Sequence, residues 1–527
     1  MLKSSGAMAG ATLLSRLLGL VREIVYARFM GVGWVTDAFL LAFQIPNLFR
    51  RLLGEGALTA AFIPIFKEQE KRHGEQEMWR TANAVISGLI VAAAVVIAGV
   101  LLGLSLLLAV HPFAAKTELM LRLLRVMFPY MLLVCLAAAF MGMLNARGHF
   151  FIPAMGAAML NVVMIASVLW LAPKLGRQWP PAERLPHQIF ALAVGVLAAG
   201  VAQAAFQLPT LWHDGFRYRW VSPWREESVR RVARRMIPGT IGIAAYQINV
   251  TAVQFLSFWV GTGIVSSFGY AVRLMELPQG MFGISLATYL LPTLSGLAAE
   301  KKFDEFRATL RSGLGTLIFL NGIASVLLVV LAEPIIRLLF ERGRFDAMAT
   351  REAALALMCL APGLVAFSSV NILARAFYAL GDTRTPMKIS VFCLGLNLLL
   401  AAALVFPLRQ GGLGLANTAT STINLALLLF ALRKKLGRLE MESLQKTLLP
   451  LALAAVLAGL AAWGLWKFWE TRMGHATLAL KIGAVFVPVA AAGLVYASLS
   501  LAFKVTAARE MAAFALSRWG RPQTADR

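Results

Sequence analysis

Apolar runs of about twenty residues follow one another along this chain, separated by short connections in which most of its charge is gathered. As a helix, each run is long enough to cross a bilayer whose hydrocarbon core is about 30 Å thick. The pattern predicts fourteen spans, at 6–30, 35–64, 84–110, 120–146, 151–173, 188–211, 236–260, 265–298, 310–335, 352–380, 386–407, 412–432, 447–468 and 477–503. The expected fold is an all-α polytopic membrane protein.

Prolines reveal a repeat within that pattern. Pro46, Pro129 and Pro153 recur as Pro278, Pro362 and Pro386, each about 232 residues on. The Gly31-x-Gly33 turn recurs as Gly261-x-Gly263, about 230 on, and Pro64 as Pro292, about four residues early. The early return predicts one extra helical turn, near 50–53, in the first copy. Each unit holds six spans, so both copies enter the membrane from the same side. Such a parallel repeat is typical of alternating-access transporters. The expected organisation is a six-helix lobe with a basic linker over 1–232, a second lobe over 233–440, and two extra helices with a basic tail over 441–527.

Composition narrows the class. Mean hydropathy is +0.72, with 59% hydrophobic and 14% charged residues, which excludes a soluble globular chain. The formal charge of +24 does not point to nucleic acid, because the basic residues sit in short loops rather than on one module. They follow even-numbered spans: Lys67, Lys71 and Arg72; Arg147; 217–235; Lys301 and Lys302; Arg384; Arg433 to Lys435. By the positive-inside rule both termini are cytoplasmic. Arg16 and Arg22 interrupt any signal-peptide core, so the first helix is expected to be retained. Cys135, Cys359 and Cys393 lie in apolar runs and read as small core residues. The six histidines are scattered and predict no metal site. Trp212, Trp220, Trp224, Trp259, Trp466 and Trp469 fall near span ends, where interfacial anchors belong. The segment 223–236, PWREESVRRVARRM, reads as a basic amphipathic helix on the cytoplasmic surface, touching anionic headgroups, with a gating or partner role as the sharper alternative.

Against this background the charges of 15–55 stand out: Arg16, Arg22, Glu23, Arg28, Asp37, Arg50, Arg51 and Glu55. A charge at the centre of a spanning helix costs roughly 2.5–3.5 kcal/mol on insertion scales, so these side chains are expected to face a water-filled cavity. Arg16 and Glu23 share a stripe with Ser15 and Gly19, and Arg51 and Glu55 are spaced to pair. Arg28 fits a snorkelling or structural role, and Asp37 with Thr36 fits a helix cap. In the second copy Arg273 stands where the first has Leu41, with Glu276 one turn on. Guanidinium groups bind phosphate oxygens bidentately and keep their charge, so an arginine lining suits a pyrophosphate. Glu23 and Glu276 would hold arginines in place, and Gln44 and Asn47 are candidate sugar or peptide contacts.

These residues resemble the MurJ (MviN) family of lipid II flippases, within the multidrug and oligosaccharidyl-lipid exporter superfamily. The resemblance rests on SRLLGLVREIVYARFMG at 15–31, TDAFLLAFQIPNLFRRLLGEGALTAAFIPIF at 36–66, RLMELPQGMFGISLATYLLPTLS at 273–295 and YALGDTRTPMK at 378–388, and it covers essentially the whole chain. It implies a non-enzymatic carrier that moves the undecaprenyl-pyrophosphate-linked peptidoglycan precursor from the inner to the outer leaflet of the bacterial inner membrane. It implies that Arg16, Arg22, Arg50 and Arg273 are cavity arginines, with Glu23, Asp37 and Glu55 as further functional positions. Glu23 departs from the aspartate common in the family: charge is kept and reach changes. The two extra helices are implied to border a groove for the prenyl tail.

No ATP-binding motif is present, so the expected drive is a coupling ion or the membrane potential, and no cofactor is expected. Moving one charge through 100 mV is worth about 2.3 kcal/mol, and an inside-negative potential favours export of an anionic headgroup. Expected partners are the lipid-linked precursor, membrane lipids and cell-wall synthesis or division proteins, around a monomer. A cation antiporter on the same fold would need a carboxylate-rich lining, and a membrane enzyme would need clustered acid–base groups. An exporter of another lipid-linked oligosaccharide and a scaffold for cell-wall enzymes complete the alternatives.

Overall fold

A computed structural model describes residues 2–49, 51–52, 58–181, 183–437 and 442–519. Among them every regular element is helical. The backbone of a bilayer-spanning segment must satisfy its own hydrogen bonds, and a helix does so within one segment.

The chain divides into two compact units. One comprises Met1–Ser266 with Arg342–Phe345, and the other Ser267–Glu341 with Asp346–Arg527. This division follows packing, whereas the lobes expected at 1–232, 233–440 and 441–527 follow sequence offset.

In the first unit the helices are α1 (Leu2–Met30), α2 (Trp34–Phe49), α3 (Leu58–Val110), α4 (Ala115–Met127), α5 (Tyr130–Ala146), α6 (Phe151–Ala166), the short α7 (Arg184–Gln188), α8 (Phe190–His213) and α9 (Glu227–Val260). Here α1 packs on α6, α6 and α5 on α8, α2 on α4 and α9, and α3 on α5 and α9. Phe39, Leu41, Leu123 and Tyr130 lie in its main apolar core, and Phe62, Phe66 and Phe216 in a second. The helix α10 (Ile264–Pro278) begins in this unit and continues into the other.

The second unit continues with α11 (Ser285–Ala299), α12 (Phe303–Val330), α13 (Ala332–Phe340), α14 (Ala347–Leu360), α15 (Leu364–Ala379), α16 (Arg384–Leu436), α17 (Glu442–Arg472), α18 (Leu478–Ala502) and α19 (Thr506–Trp519). In it α11 and α12 pack on α15, α14 and α15 on α16, and α17 on both α12 and α18. Tyr496 of α18 donates a buried 2.8 Å bond to the Phe319 carbonyl of α12.

The proline repeat has a structural counterpart in the two sets of elements. Pro46 and Pro278 lie inside α2 and α10, and Pro64 and Pro292 inside α3 and α11. Pro129 marks the break between α4 and α5, and Pro362 the 3-10 turn between α14 and α15. Pro153 and Pro386 each lie in the first turn of a helix, α6 and α16. Even the breaks correspond: α3 kinks at Gly74 (φ 87°), and α11 and α12 are separated at Lys301 (φ 58°).

By length and apolarity, nine helices can cross a membrane among the described residues, or ten if α4 and α5, bent by 42°, form one span. The difference from fourteen has an identifiable origin. The helix α16 holds the expected spans 11 and 12, divided at Arg409 (φ 50°). The helices α1, α2 and α9, which carry the expected spans 1, 2 and 7, are not among the nine. The described part of α2 is only sixteen residues, and the side chains of 2–13 in α1 and of 237–243 in α9 lie outside the description, so these three are not counted. Span 2 and the extra turn near 50–53 run into residues outside the description.

Two expectations need correction. Trp212, Trp220, Trp224 and Trp259 are exposed, as anchors should be, but Trp466 is buried beside α18. Trp469 donates its indole N–H to the Leu480 carbonyl and packs on Gly483, closing the α17–α18 hairpin. Both are packing residues, placed near a span end because the hairpin turn is there. The segment 223–236 is not one helix: α9 begins at Glu227, and 223–225 before it form a turn.

One glycine turn is sterically closed to other residues. Gly31 has φ +62°, and a Cβ there would meet the Arg344 carbonyl oxygen at 2.3 Å. Arg344 N donates to the Arg28 carbonyl and its Nη1 to that of Phe29, so this connection is stitched to the end of α1. Gly31→Ala is expected to destabilise by more than the ~1–2 kcal/mol of a left-handed alanine alone. Gly33→Ala, with nothing within 4 Å of its Cβ, is expected to cost less. Thermal midpoints of both variants in detergent check the difference.

Candidate functional site

The candidate site residues that the sequence places in the first unit fall into three groups. On α1, Arg22 and Glu23 are only about 15% exposed, and Arg22 Nη2 donates to Glu23 Oε1 at 2.5 Å. The Arg22 guanidinium also lies over the Tyr26 ring, 5.5 Å from its centroid. Tyr26 in turn begins an aromatic chain through Phe39 and Phe43 to Tyr130, with successive centroids 6.1–6.2 Å apart. Neighbouring helix positions diverge by about 100°, so the pair needs the Arg22 stem to bend toward Glu23. The ring face and the carboxylate fix that guanidinium. Its Nε is buried and has no hydrogen-bond partner among the described residues. Arg16, two turns earlier, is exposed, as is Arg28 near the end of α1.

The second group lies on α2. Asn47 and Gln44 are buried, and Gln44 Nε2 has no hydrogen-bond partner among the described residues. Arg51 Nη1 donates to Gln247 Oε1 of α9 at 3.2 Å. Arg50 and Glu55 lie outside the described residues, so the expected Arg51–Glu55 pair is not described either.

The third group is built around Asp37, which has no solvent exposure. Its carboxylate accepts from Gly263 N at 2.6 Å, Ser266 N at 2.9 Å and Ser266 Oγ at 2.8 Å. Gly33 N approaches the same Ser266 hydroxyl at 3.4 Å. The two Gly-x-Gly turns of the repeat thus exchange hydrogen bonds, and Asp37 caps the first turn of α10 rather than that of its own helix. Lys116 completes the group. Its ammonium donates to the carbonyls of Phe258 (2.6 Å) and Gly261 (2.8 Å) and lies 3.6 Å from Asp37. It also sits 4.1 Å from the Phe258 ring centroid. A cation therefore meets the carbonyl end of α9 and an anion the amide end of α10, as helix dipoles favour. Asp37 is saturated from within, so the geometry makes it a clamp rather than a ligand group.

In the second unit Arg273 Nη1 donates to Glu276 Oε2 at 2.9 Å, with both side chains about half exposed. This pair on α10 parallels Arg22–Glu23 on α1. An arginine held by an adjacent carboxylate keeps donors for an anion while its own charge is partly compensated.

Sequence reasoning missed Lys116, Ser266, Tyr26 and Gln247. Lys116 carried a usable signal: it is an isolated cation in a connection expected to be poor in lysine and arginine. Ser266 and Gln247 gave none, because their partners are about 200 residues away.

The family described as lipid II flippase MurJ matches residues 26–483 of this sequence. The chain belongs to the MurJ family. A protein of Burkholderia cenocepacia described as lipid II flippase MurJ is 34% identical over 437 residues, 81% of this chain and 83% of that one. Probable lipid II flippases MurJ of Vibrio cholerae and Bdellovibrio bacteriovorus are 34% and 33% identical, over 442 and 517 residues. They cover 81% and 95% of this chain, and 82% and 94% of their own lengths. Among solved structures, a lipid II flippase MurJ in an inward closed conformation has a TM-score of 0.75 at 22% identity, covering 94% of this chain and 98% of that one. An inward-facing multidrug resistance MATE transporter of the MOP superfamily has a TM-score of 0.64 at 14% identity, covering 83% and 99%. These two likenesses speak to fold.

Proposed function

We propose that this chain is a transporter that moves lipid II, the undecaprenyl-pyrophosphate-linked peptidoglycan precursor, from the inner to the outer leaflet of the bacterial inner membrane. The observation that carries the reading is family membership across 26–483, joined to relatives described as lipid II flippases over more than four fifths of their lengths. No bond in the cargo is made or broken, so the activity is transport and not catalysis.

In this reading Arg16, Arg22, Arg50, Arg51 and Arg273 serve the pyrophosphate. Glu23 and Glu276 hold their arginines, and Gln44 and Asn47 meet sugar or peptide. Arg22 is the best supported of these, because an arginine inside an apolar helix is expensive unless something anionic uses it. Glu55 acts beside Arg51, and Asp37 acts by holding the α9–α10 turn. The lobes of the repeat, 1–232 and 233–440, work in alternating access with both termini cytoplasmic, as a monomer, and 441–527 accommodates the prenyl tail. Export is driven by the potential: a pyrophosphate headgroup leaving an inside-negative cell moves downhill by about 2.3 kcal/mol per charge per 100 mV.

Vesicles reconstituted with the full chain and a fluorescent undecaprenyl-pyrophosphate sugar test this directly. With an imposed potential, an impermeant quencher should reach the inner-leaflet pool within the assay, while a neutral glycolipid stays protected. Equal protection of both lipids would refute transport, and a rate indifferent to the potential would refute the proposed drive.

A further inference from the structure

Between α8 and α9 the chain crosses the face of α3 as a short irregular segment. Asn83, buried in α3, holds it from both sides: its Nδ2 donates to the Arg217 carbonyl at 3.0 Å, and its Oδ1 accepts from Arg219 N at 3.3 Å. One turn on, the buried Ser87 hydroxyl accepts from Val221 N at 3.4 Å and lies 3.2 Å from the Tyr218 hydroxyl. Phe216 is buried against Trp79 and Phe140, and Pro223 packs at Gly88. At its far end Arg80 pairs with Glu226 at 3.0 Å, and Arg231 with Glu68 at 3.0 Å. A solvated linker has no use for such anchoring. The conformation is fixed.

What the segment displays is cationic and aromatic. Residues 216–236 contain seven arginines and two glutamates, a net charge of +5. Glu226 is paired with Arg80, and Arg219, Arg225 and Arg234 are exposed with no acidic partner among the described residues. Interleaved with them, Trp220 is 59% and Trp224 67% exposed, and Trp212 and Tyr218 are also open. Exposed indoles beside free guanidinium groups, directly after an apolar span, match the chemistry of a bilayer's headgroup layer. The rings settle among glycerol and acyl carbons, and the arginines meet phosphodiesters. Asn83 and Ser87 lie near the start of the long apolar run of α3, the end of a span at which a headgroup layer is expected.

We infer that residues 216–236 form a rigid platform that binds anionic phospholipid headgroups, with Arg219, Arg225 and Arg234 as the phosphate contacts. The platform shares no residue with the candidate cargo contacts, and the inference does not depend on what the chain transports.

The full chain, reconstituted in nanodiscs of phosphatidylcholine with a minor fraction of phosphatidylglycerol and then partly delipidated, supplies the test. The wild type should retain phosphatidylglycerol above its bulk fraction, and rising salt should erode the enrichment, as screening requires. Combining Arg219→Gln, Arg225→Gln and Arg234→Gln should lower the enrichment on the order of tenfold or more, each arginine near the surface contributing to it. The three corresponding lysine changes and Arg22→Ala should each leave it near wild type. Undiminished enrichment in the glutamine variant would overturn the inference, as would a salt-insensitive enrichment in the wild type. So would a preference traced to bound RNA and lost on nuclease treatment.

Discussion

Cells that rely on this chain are expected to stop growing when Arg22 is replaced by alanine, with the protein still present in the membrane. The guanidinium is fixed by Glu23 and the Tyr26 ring, so on the proposed function substitution removes an organised anion contact. A hydrogen bond to a charged group contributes about 1.5–3 kcal/mol, or roughly 10- to 150-fold in affinity for the pyrophosphate. Alanine also takes the Arg22 guanidinium from the half-buried Glu23 carboxylate. Arg22→Ala with Glu23→Ala removes that second effect. If the arginine serves the cargo, the double variant should regain abundance and thermal stability but not growth support. Arg22→Lys keeps a charge without the fork and should fall between. Growth support by the alanine variant at the wild-type level would remove Arg22 from the site.

Asp37→Ala should fail in a different way. Three donors, Gly263 N, Ser266 N and Ser266 Oγ, lose their acceptor, and Lys116 keeps its charge with no carboxylate beside it. Breaking a buried pair from one side costs about 3–5 kcal/mol, a large share of the stability of most domains. The expected result is less protein in the membrane and a lower thermal midpoint in detergent. Asp37→Asn keeps the shape and one acceptor, and combining it with Lys116→Met removes the orphaned charge. That pair should recover much of the midpoint and part of the growth support. A cargo-binding aspartate behaves oppositely: Asp37→Ala would leave abundance and midpoint intact and abolish transport alone.

The helical architecture could be read from the sequence because a bilayer leaves the backbone few alternatives, and runs of apolar residues mark where it applies. The repeat was legible because proline is confined to special positions, so Pro46 and Pro278, or Pro153 and Pro386, occupy equivalent places in their elements. The pairs Arg22–Glu23 and Arg273–Glu276 were legible because their partners are local. Local spacing placed Asp37 in its own helix cap and could not show that it caps α10, since that contact joins positions 226 to 229 apart. Helical periodicity likewise started the 223–236 helix four residues early, over a turn held by long-range contacts, Pro223 at Gly88 and Glu226 with Arg80. Trp466 and Trp469 were misplaced for a related reason: closeness to a span end does not distinguish an anchor from a residue packed inside a hairpin turn.

The central claim, that this chain carries lipid II outward, is tested most directly by locating the lipid in cells. In a strain depleted of its own flippase and expressing this chain, the fraction of lipid II reachable by an impermeant reagent outside the membrane can be measured against the depleted strain. The account predicts that the wild type restores external lipid II while the potential is intact, and that Arg22→Ala and Arg273→Ala do not. Restored growth with lipid II still confined to the inner leaflet would contradict it.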